Sequence, residues 1–292
     1  MDLSAFVDAA APLRALGVVV TQEGREVASH LWEAACRRNI YSASKSVTAT
    51  AVGIAAGEGL LSLEERLVDV FKDDLPQTVG ENLEKAVVRD LLTMHLGQGS
   101  GYLMGADRPY YADPDWVKTA LAQPFADPPN SRFVYNNAGP YLAGILVQRR
   151  AGCDLVNYLT PRLFAPMGIS RPTWETDPLG NTFGAGGLFL TLWELHKLGQ
   201  LWLQHGSYNG RQLAPAAFMA EALSRQTDND RDSFGYGYLF WGGDKGSFRA
   251  DGKYGQFAIM MQDKNAVVTI TAECREEPKL LDAVFTHIYS QL

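Results

Sequence analysis

The feature that most constrains the fold of this chain is an uncharged run of small residues from Val47 to Ala56. The run contains no proline, and its alanine, glycine and threonine side chains suit a helix that is packed closely on every side. Directly before it stands Tyr41-Ser42-Ala43-Ser44-Lys45-Ser46, so a lysine falls in the first turn of this predicted core helix. A helix buried this deeply rarely carries a lysine there for structural reasons alone. The segment is therefore also the first candidate functional site.

Ser42 and Lys45 are three residues apart, a spacing that places two Cβ atoms on one helix face, roughly 5–6 Å from each other. We interpret the serine hydroxyl as a nucleophile and the lysine amine as its activating base. The dipole of the helix N-terminus would stabilise an oxyanion and, together with burial, should lower the pKa of Lys45. Taken alone, the motif also fits a serine cap followed by a solvated lysine.

Composition excludes several classes of function. The chain has 292 residues, of which 46% are hydrophobic and 20% charged, as in ordinary globular proteins. A net charge of -7 argues against a nucleic acid partner. The N-terminus carries acidic residues where a signal peptide needs basic ones, and no apolar run approaches the roughly 20 residues that span a bilayer. We therefore expect a cytoplasmic protein with no membrane partner, while its oligomeric state stays open.

No cofactor or metal is indicated by the sequence. The five histidines have no metal-ligand spacing, and the three cysteines are far apart and include no CxxC pair. His95 is the one histidine with a candidate role, because it lies near a predicted domain junction. The turn Gly184-Ala185-Gly186-Gly187 lacks the lysine of a phosphate-binding loop, and no Gly-x-Ser-x-Gly elbow of an α/β-hydrolase occurs.

Strand patterns occupy both ends of the chain and helix patterns its middle. The predicted helices lie at about 3–16, 42–57, 87–94, 113–121, 138–150, 154–164, 191–205 and 279–291, with a capping box at Ser62-Leu63-Glu64-Glu65 that predicts one more. The predicted strands lie at about 17–21, 25–32, 236–241, 255–261 and 266–272. This order predicts a mostly antiparallel sheet domain, residues 1–72 and 180–292, with a helical domain inserted at residues 73–179. A functional cleft is expected between the two domains.

A second motif, Phe133-Val134-Tyr135-Asn136-Asn137, follows a proline-rich loop and precedes a predicted helix. Tyr135 and Asn137 are two apart on a loop, so both side chains can point into one cleft. A tyrosine hydroxyl relays protons when nearby cations lower its pKa, and an asparagine amide holds a substrate carbonyl or Lys45. The pair is common in turns, so its meaning depends on Ser42 and Lys45.

With these motifs the chain resembles the serine hydrolases related to class C β-lactamases. The segments that carry the resemblance are Tyr41 to Thr48, Leu91-Leu92-Thr93-Met94, Phe133 to Asn137 and Arg249 to Gln256. That group includes D-alanyl-D-alanine peptidases, family VIII carboxylesterases and 6-aminohexanoate-oligomer hydrolases. The resemblance runs from about Gly17 to the C-terminus. It implies an α/β domain, with an antiparallel sheet flanked by helices, an all-helical domain, and an active site between them.

The resemblance also implies roles for individual residues. Ser42 matches the acylated nucleophile and Lys45 its hydrogen-bonded partner. Tyr135 matches the tyrosine that passes a proton to the leaving group, and Asn137 the asparagine near the lysine and the substrate carbonyl.

The third motif of these enzymes departs from their usual pattern. It is normally Lys-Thr-Gly, or a histidine variant, and here it reads Ala250-Asp251-Gly252. We expect these three residues to contact substrate. The resemblance implies that the backbone N–H of Lys253 forms the oxyanion hole together with that of Ser42.

The altered motif bears on the substrate, because the Lys-Thr pair helps β-lactamases and D-alanyl-D-alanine peptidases to bind a carboxylate. If Asp251 faced the cleft, its charge roughly 5 Å from a substrate carboxylate would cost about 3 kcal/mol at an effective dielectric near 20. Arg249 or the Lys253 side chain could offset this repulsion. We therefore expect an acyl-enzyme hydrolase of neutral or amine-bearing small esters or amides, with weak or no β-lactamase activity. The alternatives are a D-alanyl-D-alanine peptidase, a true class C-like β-lactamase, and a non-hydrolytic binding or sensor protein.

Overall fold

The computed structural model describes residues 1–292 and contains ten α-helices and eleven strands. The helices are α1 (Ser4–Ala10), α2 (Ser44–Gly57), α3 (Leu67–Val70), α4 (Glu81–Lys85), α5 (Trp116–Leu121), α6 (Ala138–Ala151), α7 (Leu155–Leu159), α8 (Leu192–Leu203), α9 (Ala216–Ala222) and α10 (Glu277–His287). The strands are β1 (Ala15–Gln22), β2 (Arg25–Leu31), β3 (Arg38–Asn39), β4 (Thr173–Trp174), β5 (Leu188–Leu190), β6 (Ser207–Tyr208), β7 (Arg211–Gln212), β8 (Trp241–Gly242), β9 (Phe248–Gly252), β10 (Gln256–Met261) and β11 (Ala266–Ala272). No helix combines the length and the apolar character needed to cross a bilayer.

The main sheet has six antiparallel strands in the order β2-β1-β11-β10-β9-β8. Its first two strands along the chain come from the N-terminal region and the other four from the C-terminal region. The predicted antiparallel sheet formed from both termini and flanked by helices is therefore confirmed.

Both faces of strands β1, β10 and β11 are buried, because side chains that alternate along them meet two helical layers. Val268 and Ile270 of β11 belong to the core that includes residues of α1 and α10. The intervening Val267 faces α8, where a Cβ added to Gly199 would lie only 2.7 Å from its Cγ1 atom. The glycine thus lets α8 lie close against the strand.

Helix α2 is the central element, buried from its first residue to Ala55. It packs against α6, and its small polar side chains bond to the structure around it. The Thr48 hydroxyl donates to the Gly184 carbonyl at 2.7 Å, and the Trp202 indole donates to the Thr50 hydroxyl at 2.9 Å. A helix of this composition can be enclosed on all sides because its buried hydroxyls find partners.

The region between α2 and β4 consists of the 14-residue helix α6, several shorter helices and irregular loops. Its helices α5, α6 and α7 contribute to the larger hydrophobic core, which also includes residues of α2 and α8. The core is therefore continuous from the sheet into the helical region. The division of the chain into residues 73–179 and the remainder stays a prediction.

The helix predicted after Ser62 and the helix predicted at residues 87–94 are both much shorter than expected, because the two segments form backbone hydrogen bonds with each other. The Val88 N–H donates to the Glu65 carbonyl at 3.0 Å, and the Arg89 N–H to the Leu63 carbonyl at 2.9 Å. The capping box at Ser62 therefore closes only a turn, and α3 starts at Leu67. The predicted helix at residues 87–94 is reduced to one helical turn, Val88–Leu91.

The strand predicted at residues 236–241 is also wrong over most of its length, since only Trp241 belongs to β8. Leu239 has a positive φ of 61°, and its N–H donates to the Leu92 carbonyl at 2.9 Å. A residue in that conformation breaks the extended backbone that a strand needs. The aromatic side chains of this segment are nevertheless buried, as their hydrophobic character predicts.

We expect His196 of α8 to make the fold sensitive to acid. Its side chain is buried, Nδ1 lies 2.8 Å from the Thr269 hydroxyl, Nε2 has no partner, and burial lowers the pKa to about 4. Below about pH 6.5 the unfolded chain gains a proton that the folded chain does not. The free energy of unfolding should then fall by up to about 1.4 kcal/mol per pH unit until pH 4.

Urea unfolding between pH 7 and pH 4.5 tests this expectation. His196→Gln should reduce the pH dependence, whereas the exposed His205→Asn control should retain it. An unchanged pH dependence in His196→Gln would contradict the assignment.

Candidate active site

Ser42 lies in a single helical turn, Tyr41–Ala43, directly before α2. Tyr41 has a φ of 48°, a left-handed conformation that is uncommon for a residue with a side chain. Its N–H donates to Asn39 Oδ1 at 2.7 Å, and its ring contacts that of Tyr254 edge to face, with centroids 5.3 Å apart. Neighbouring groups therefore hold the unusual backbone that presents Ser42, as is frequent at functional sites.

Lys45 reaches from α2 to the Ser42 hydroxyl, as the spacing of the two residues predicts. Its side chain is 2% exposed, and Nζ lies 3.0 Å from Ser42 Oγ, 2.6 Å from Asn137 Oδ1 and 2.6 Å from the Ala185 carbonyl oxygen. Burial, and to a lesser degree the charge of Arg108, lower the pKa of Lys45 to about 7. A substantial fraction of this lysine is therefore neutral near pH 7.

The three contacts determine what a neutral Lys45 can do. A neutral amine has two N–H groups and one lone pair, and the oxygens of Asn137 and Ala185 can only accept. Those oxygens therefore take the two N–H groups, and the lone pair is left for the proton of the Ser42 hydroxyl. The Asn137 amide is itself oriented, because its Nδ2 donates to the Leu103 carbonyl at 3.0 Å. Of the two roles that the sequence leaves open for Asn137, the contact with Lys45 is present, and substrate binding stays a prediction.

Tyr135 lies beside both residues. The centroid of its half-buried ring is 5.2 Å from Lys45 Nζ and 5.6 Å from the Trp241 ring, against which it stacks. Burial raises the pKa of its hydroxyl to about 12, and Ser42 and the Arg231 guanidinium, 5.4 Å from the ring centroid, counteract this only in part. The hydroxyl is therefore protonated near neutral pH, which suits a proton donor better than a base.

The strand motif approaches Ser42 through its backbone. A Cβ added to Gly252 would lie 2.1 Å from the Ile40 carbonyl oxygen, far inside van der Waals contact. Only glycine lets β9 pass this close to the segment that precedes Ser42. Ala250 is fully buried and places a methyl group where the related enzymes carry lysine or histidine, and Lys253 is exposed at the end of β9.

Asp251 is paired with Arg249, one of the two cations that the sequence analysis named as able to offset its charge. Its Oδ2 accepts a hydrogen bond from Arg249 Nε at 2.9 Å, and both side chains are only 11% exposed. The two residues alternate with Ala250 and Gly252 along β9, so they lie on its other face. Arg249 therefore supplies the offsetting charge that the sequence analysis allowed for, although the Asp251 carboxylate still acts to raise the pKa of Lys45 and of Tyr135.

A cavity of about 460 Å³, which we call the Ser42 cavity, opens beside the nucleophile candidate. Its lining includes Arg108 and Glu175, which the sequence analysis missed because the loops that carry them have no periodic pattern. The turn at Gly184, for which the sequence analysis gave no functional role, belongs to the site through the Ala185 carbonyl. His95 does not line this cavity, and its Nδ1 lies 2.9 Å from the Thr93 carbonyl oxygen at a larger, open surface cavity of about 770 Å³.

The sequence model of the family described as Beta-lactamase matches residues 5–290. No curated protein sequence matches the chain.

Three solved structures share the fold at low sequence identity. A provisionally named 6-aminohexanoate-dimer hydrolase from Bacillus anthracis has a TM-score of 0.81 and 20% identity, over 97% of this chain and 80% of that one. An octameric penicillin-binding protein homologue from Pyrococcus abyssi has a TM-score of 0.80 and 18% identity, over 100% of this chain and 78% of that one. A penicillin-binding protein from Bacillus halodurans has a TM-score of 0.75 and 18% identity, over 98% of this chain and 99% of that one. At such identities the likeness establishes the fold alone.

The reactivity of Ser42 should depend on the protonation of Lys45. We expect its rate of labelling by a fluorophosphonate to rise about tenfold per pH unit below pH 7 and to level off above, because only the neutral amine accepts the serine proton. Asn137→Asp would place a carboxylate beside the amine and favour its ammonium form. The rising part of the pH–rate profile should then shift to higher pH by about one unit or more. Mass spectrometry of labelling time courses measures both effects. A pH–rate profile that does not shift in Asn137→Asp would contradict the contact between Lys45 and Asn137.

Gly252 should be essential for the geometry around Ser42. Gly252→Ala would push the Ile40 backbone away and reduce Ser42 labelling by about 100-fold or more, by displacing the reacting atoms. Gly80→Ala is the matched control, because a Cβ there meets nothing within 4 Å. Circular dichroism confirms that both variants fold, and equal labelling rates in the two would contradict this prediction.

Proposed function

Because the chain belongs to the Beta-lactamase family, we propose that it is a serine hydrolase that cleaves ester or amide bonds of small molecules through an acyl-enzyme. The observation that carries the proposal is the buried Lys45 amine, 3.0 Å from the Ser42 hydroxyl and held by two oxygens that can only accept. A purely structural lysine would have no need of a pKa near 7 or of a serine at its lone pair.

In the proposed acylation step, Ser42 Oγ attacks the substrate carbonyl carbon while its proton passes to Lys45 Nζ. The carbonyl oxygen becomes an oxyanion, for which the backbone N–H groups of Ser42 and Lys253 are the proposed donors. The developing ammonium of Lys45 keeps its bonds to Asn137 and Ala185 throughout, so little reorganisation accompanies the proton transfer. Lys45 is the proposed base, since burial keeps the Tyr135 hydroxyl protonated.

Collapse of the tetrahedral intermediate breaks the bond to the leaving group, which takes a proton from the Tyr135 hydroxyl. Tyr135 recovers a proton from the Lys45 ammonium beside its ring, which returns Lys45 to the neutral form. Water then attacks the acyl carbon of Ser42 and gives up a proton to the same groups, and the acid is released as Ser42 regains its hydrogen. The steps balance without any cofactor.

The proposed substrates are small esters and amides, with weak or no hydrolysis of β-lactams. Ala250 offers no cation where the related β-lactamases carry one, so a β-lactam carboxylate lacks that partner on β9. A penicillin-binding D-alanyl-D-alanine peptidase is the second candidate, because the octameric and Bacillus halodurans neighbours are named as penicillin-binding proteins or homologues.

Mass spectrometry after incubation with a fluorophosphonate and with a penicillin tests the proposal. We expect a fluorophosphonate adduct on Ser42 that is absent in Ser42→Ala, turnover of p-nitrophenyl esters, D-amino-acid amides or aminohexanoate dimers, and a penicillin kcat/KM below about 10⁴ M⁻¹s⁻¹. No adduct with either reagent would remove the enzyme assignment and leave a binding or sensor protein. A persistent penicillin adduct would favour the peptidase, and rapid penicillin or nitrocefin turnover a true β-lactamase.

A further inference from the structure

The charged residues that line the Ser42 cavity are not those of the strand motif. They are two cations, Arg108 and Lys253, and one carboxylate, Glu175. Asp251 is absent from the lining and is paired with Arg249. The formal charge of the lining is therefore positive, and the cavity favours an anionic group over a cationic one.

Arg108 is the less exposed of the two cations, whereas Lys253 is exposed and lies 4.8 Å from the centroid of the Tyr254 ring. The Arg108 guanidinium lies 4.4 Å from the centroid of the Phe183 ring, and its Nη1 donates a long hydrogen bond of 3.4 Å to Glu175 Oε2. Its Nε is buried and has no hydrogen-bond partner in the protein. A guanidinium has five N–H donors in a planar fork that matches a carboxylate, and buried donors are almost always paired.

The pairing with Glu175 leaves most of the hydrogen-bond donors of Arg108 without a partner, because it is a single long bond and Glu175 also binds Asn39. Glu175 Oε1 accepts from Asn39 Nδ2 at 3.2 Å, and the Glu175 side chain is 39% exposed, so solvent screens its charge. Arg108 Nε is enclosed, but its Nη2 makes no hydrogen bond within the protein and is available to an oxygen of a ligand. The Phe183 ring and Met104 give the same cavity an apolar wall, which suits an aliphatic chain between that oxygen and the reacting carbonyl.

We propose that Arg108 is a specificity residue of the Ser42 cavity, which binds a carboxylate carried by the substrate on a short aliphatic or aromatic spacer. This inference rests on the proposed hydrolase function and names its substrate class. It also moves the carboxylate site from the strand motif, where the related enzymes have it, to the loop that carries Arg108. Substrates with a free carboxylate therefore replace the neutral or amine-bearing compounds expected from the sequence.

Two matched pairs of esters measure this preference. On the acyl side, the mono-p-nitrophenyl ester of adipic acid is compared with its methyl ester, which has the same chain without the charge. On the leaving-group side, 3-acetoxybenzoate is compared with its methyl ester. We expect the wild-type protein to prefer the charged member of at least one pair by about 10- to 100-fold in kcat/KM, as for a charged hydrogen bond.

Variants of Arg108 distinguish a role in binding the substrate carboxylate from a purely structural role. Arg108→Gln should lower the charged-to-neutral ratio towards one, Arg108→Lys should keep part of it, and Glu175→Gln should raise it by freeing the guanidinium. Arg132→Gln is the matched control, because Arg132 is exposed, pairs with Asp127, and does not line the Ser42 cavity. Any change in the pKa of Lys45 affects both members of a pair equally, so the ratio reports recognition. A ratio in Arg108→Gln equal to that of the wild type would overturn the proposal.

Binding of adipate supplies a test that needs no turnover. In Ser42→Ala, calorimetry should detect adipate binding, and the double variant Ser42→Ala/Arg108→Gln should lose it. If no ester were hydrolysed and Ser42 were not labelled, the hydrolase function would fail while this binding difference still decided the role of Arg108. Equal adipate binding by the two variants, or none by either, would then overturn the inference.

Discussion

The arrangement of the site depends on one buried amine and the two oxygens that hold it. Lys45 comes from α2, Asn137 from the residue before α6, and Ala185 from the turn before β5, so the contact joins three distant parts of the chain. An unpaired buried ammonium is costly, and these contacts make a buried lysine tolerable in either protonation state. The close packing of α2 and the hydrogen bond that orients the Asn137 amide both support this one contact.

The electrostatics of the site follow from where the remaining charges lie. Lysine is absent from β9, and Asp251 pairs with Arg249. The cations around the site lie outside the strands: Arg108 and Lys253 line the Ser42 cavity, and Arg231 lies over the Tyr135 and Trp241 rings. Arg108 also lowers the pKa of Lys45, so the loop that would select the substrate also favours the neutral base.

Much of the fold could be predicted because its signals are local. The strand at residues 266–272 was predicted with its full bounds, and the helices beginning near Ser44 and at Ala138 to within a few residues, since periodicity, caps and glycines mark them. The wrong predictions of secondary structure lie where backbone groups form hydrogen bonds with distant segments instead of within their own helix or strand. The segments around Leu63 and Val88 bond to each other instead of to their own helices, and the Leu239 turn bonds to Leu92. No local pattern reports such partners.

For the site, the sequence by itself determined the candidate reactive pair, because Ser42 and Lys45 are three residues apart and their contact needs only local geometry. It also identified Tyr135 and Asn137 as candidates that would converge on that pair. Only the tertiary structure decided what surrounds them: which oxygens hold Lys45, that Arg249 pairs with Asp251, and that Arg108 faces the cavity. These are contacts between residues far apart in the chain, and their existence depends on how sheet, helices and loops pack together rather than on any spacing in the sequence.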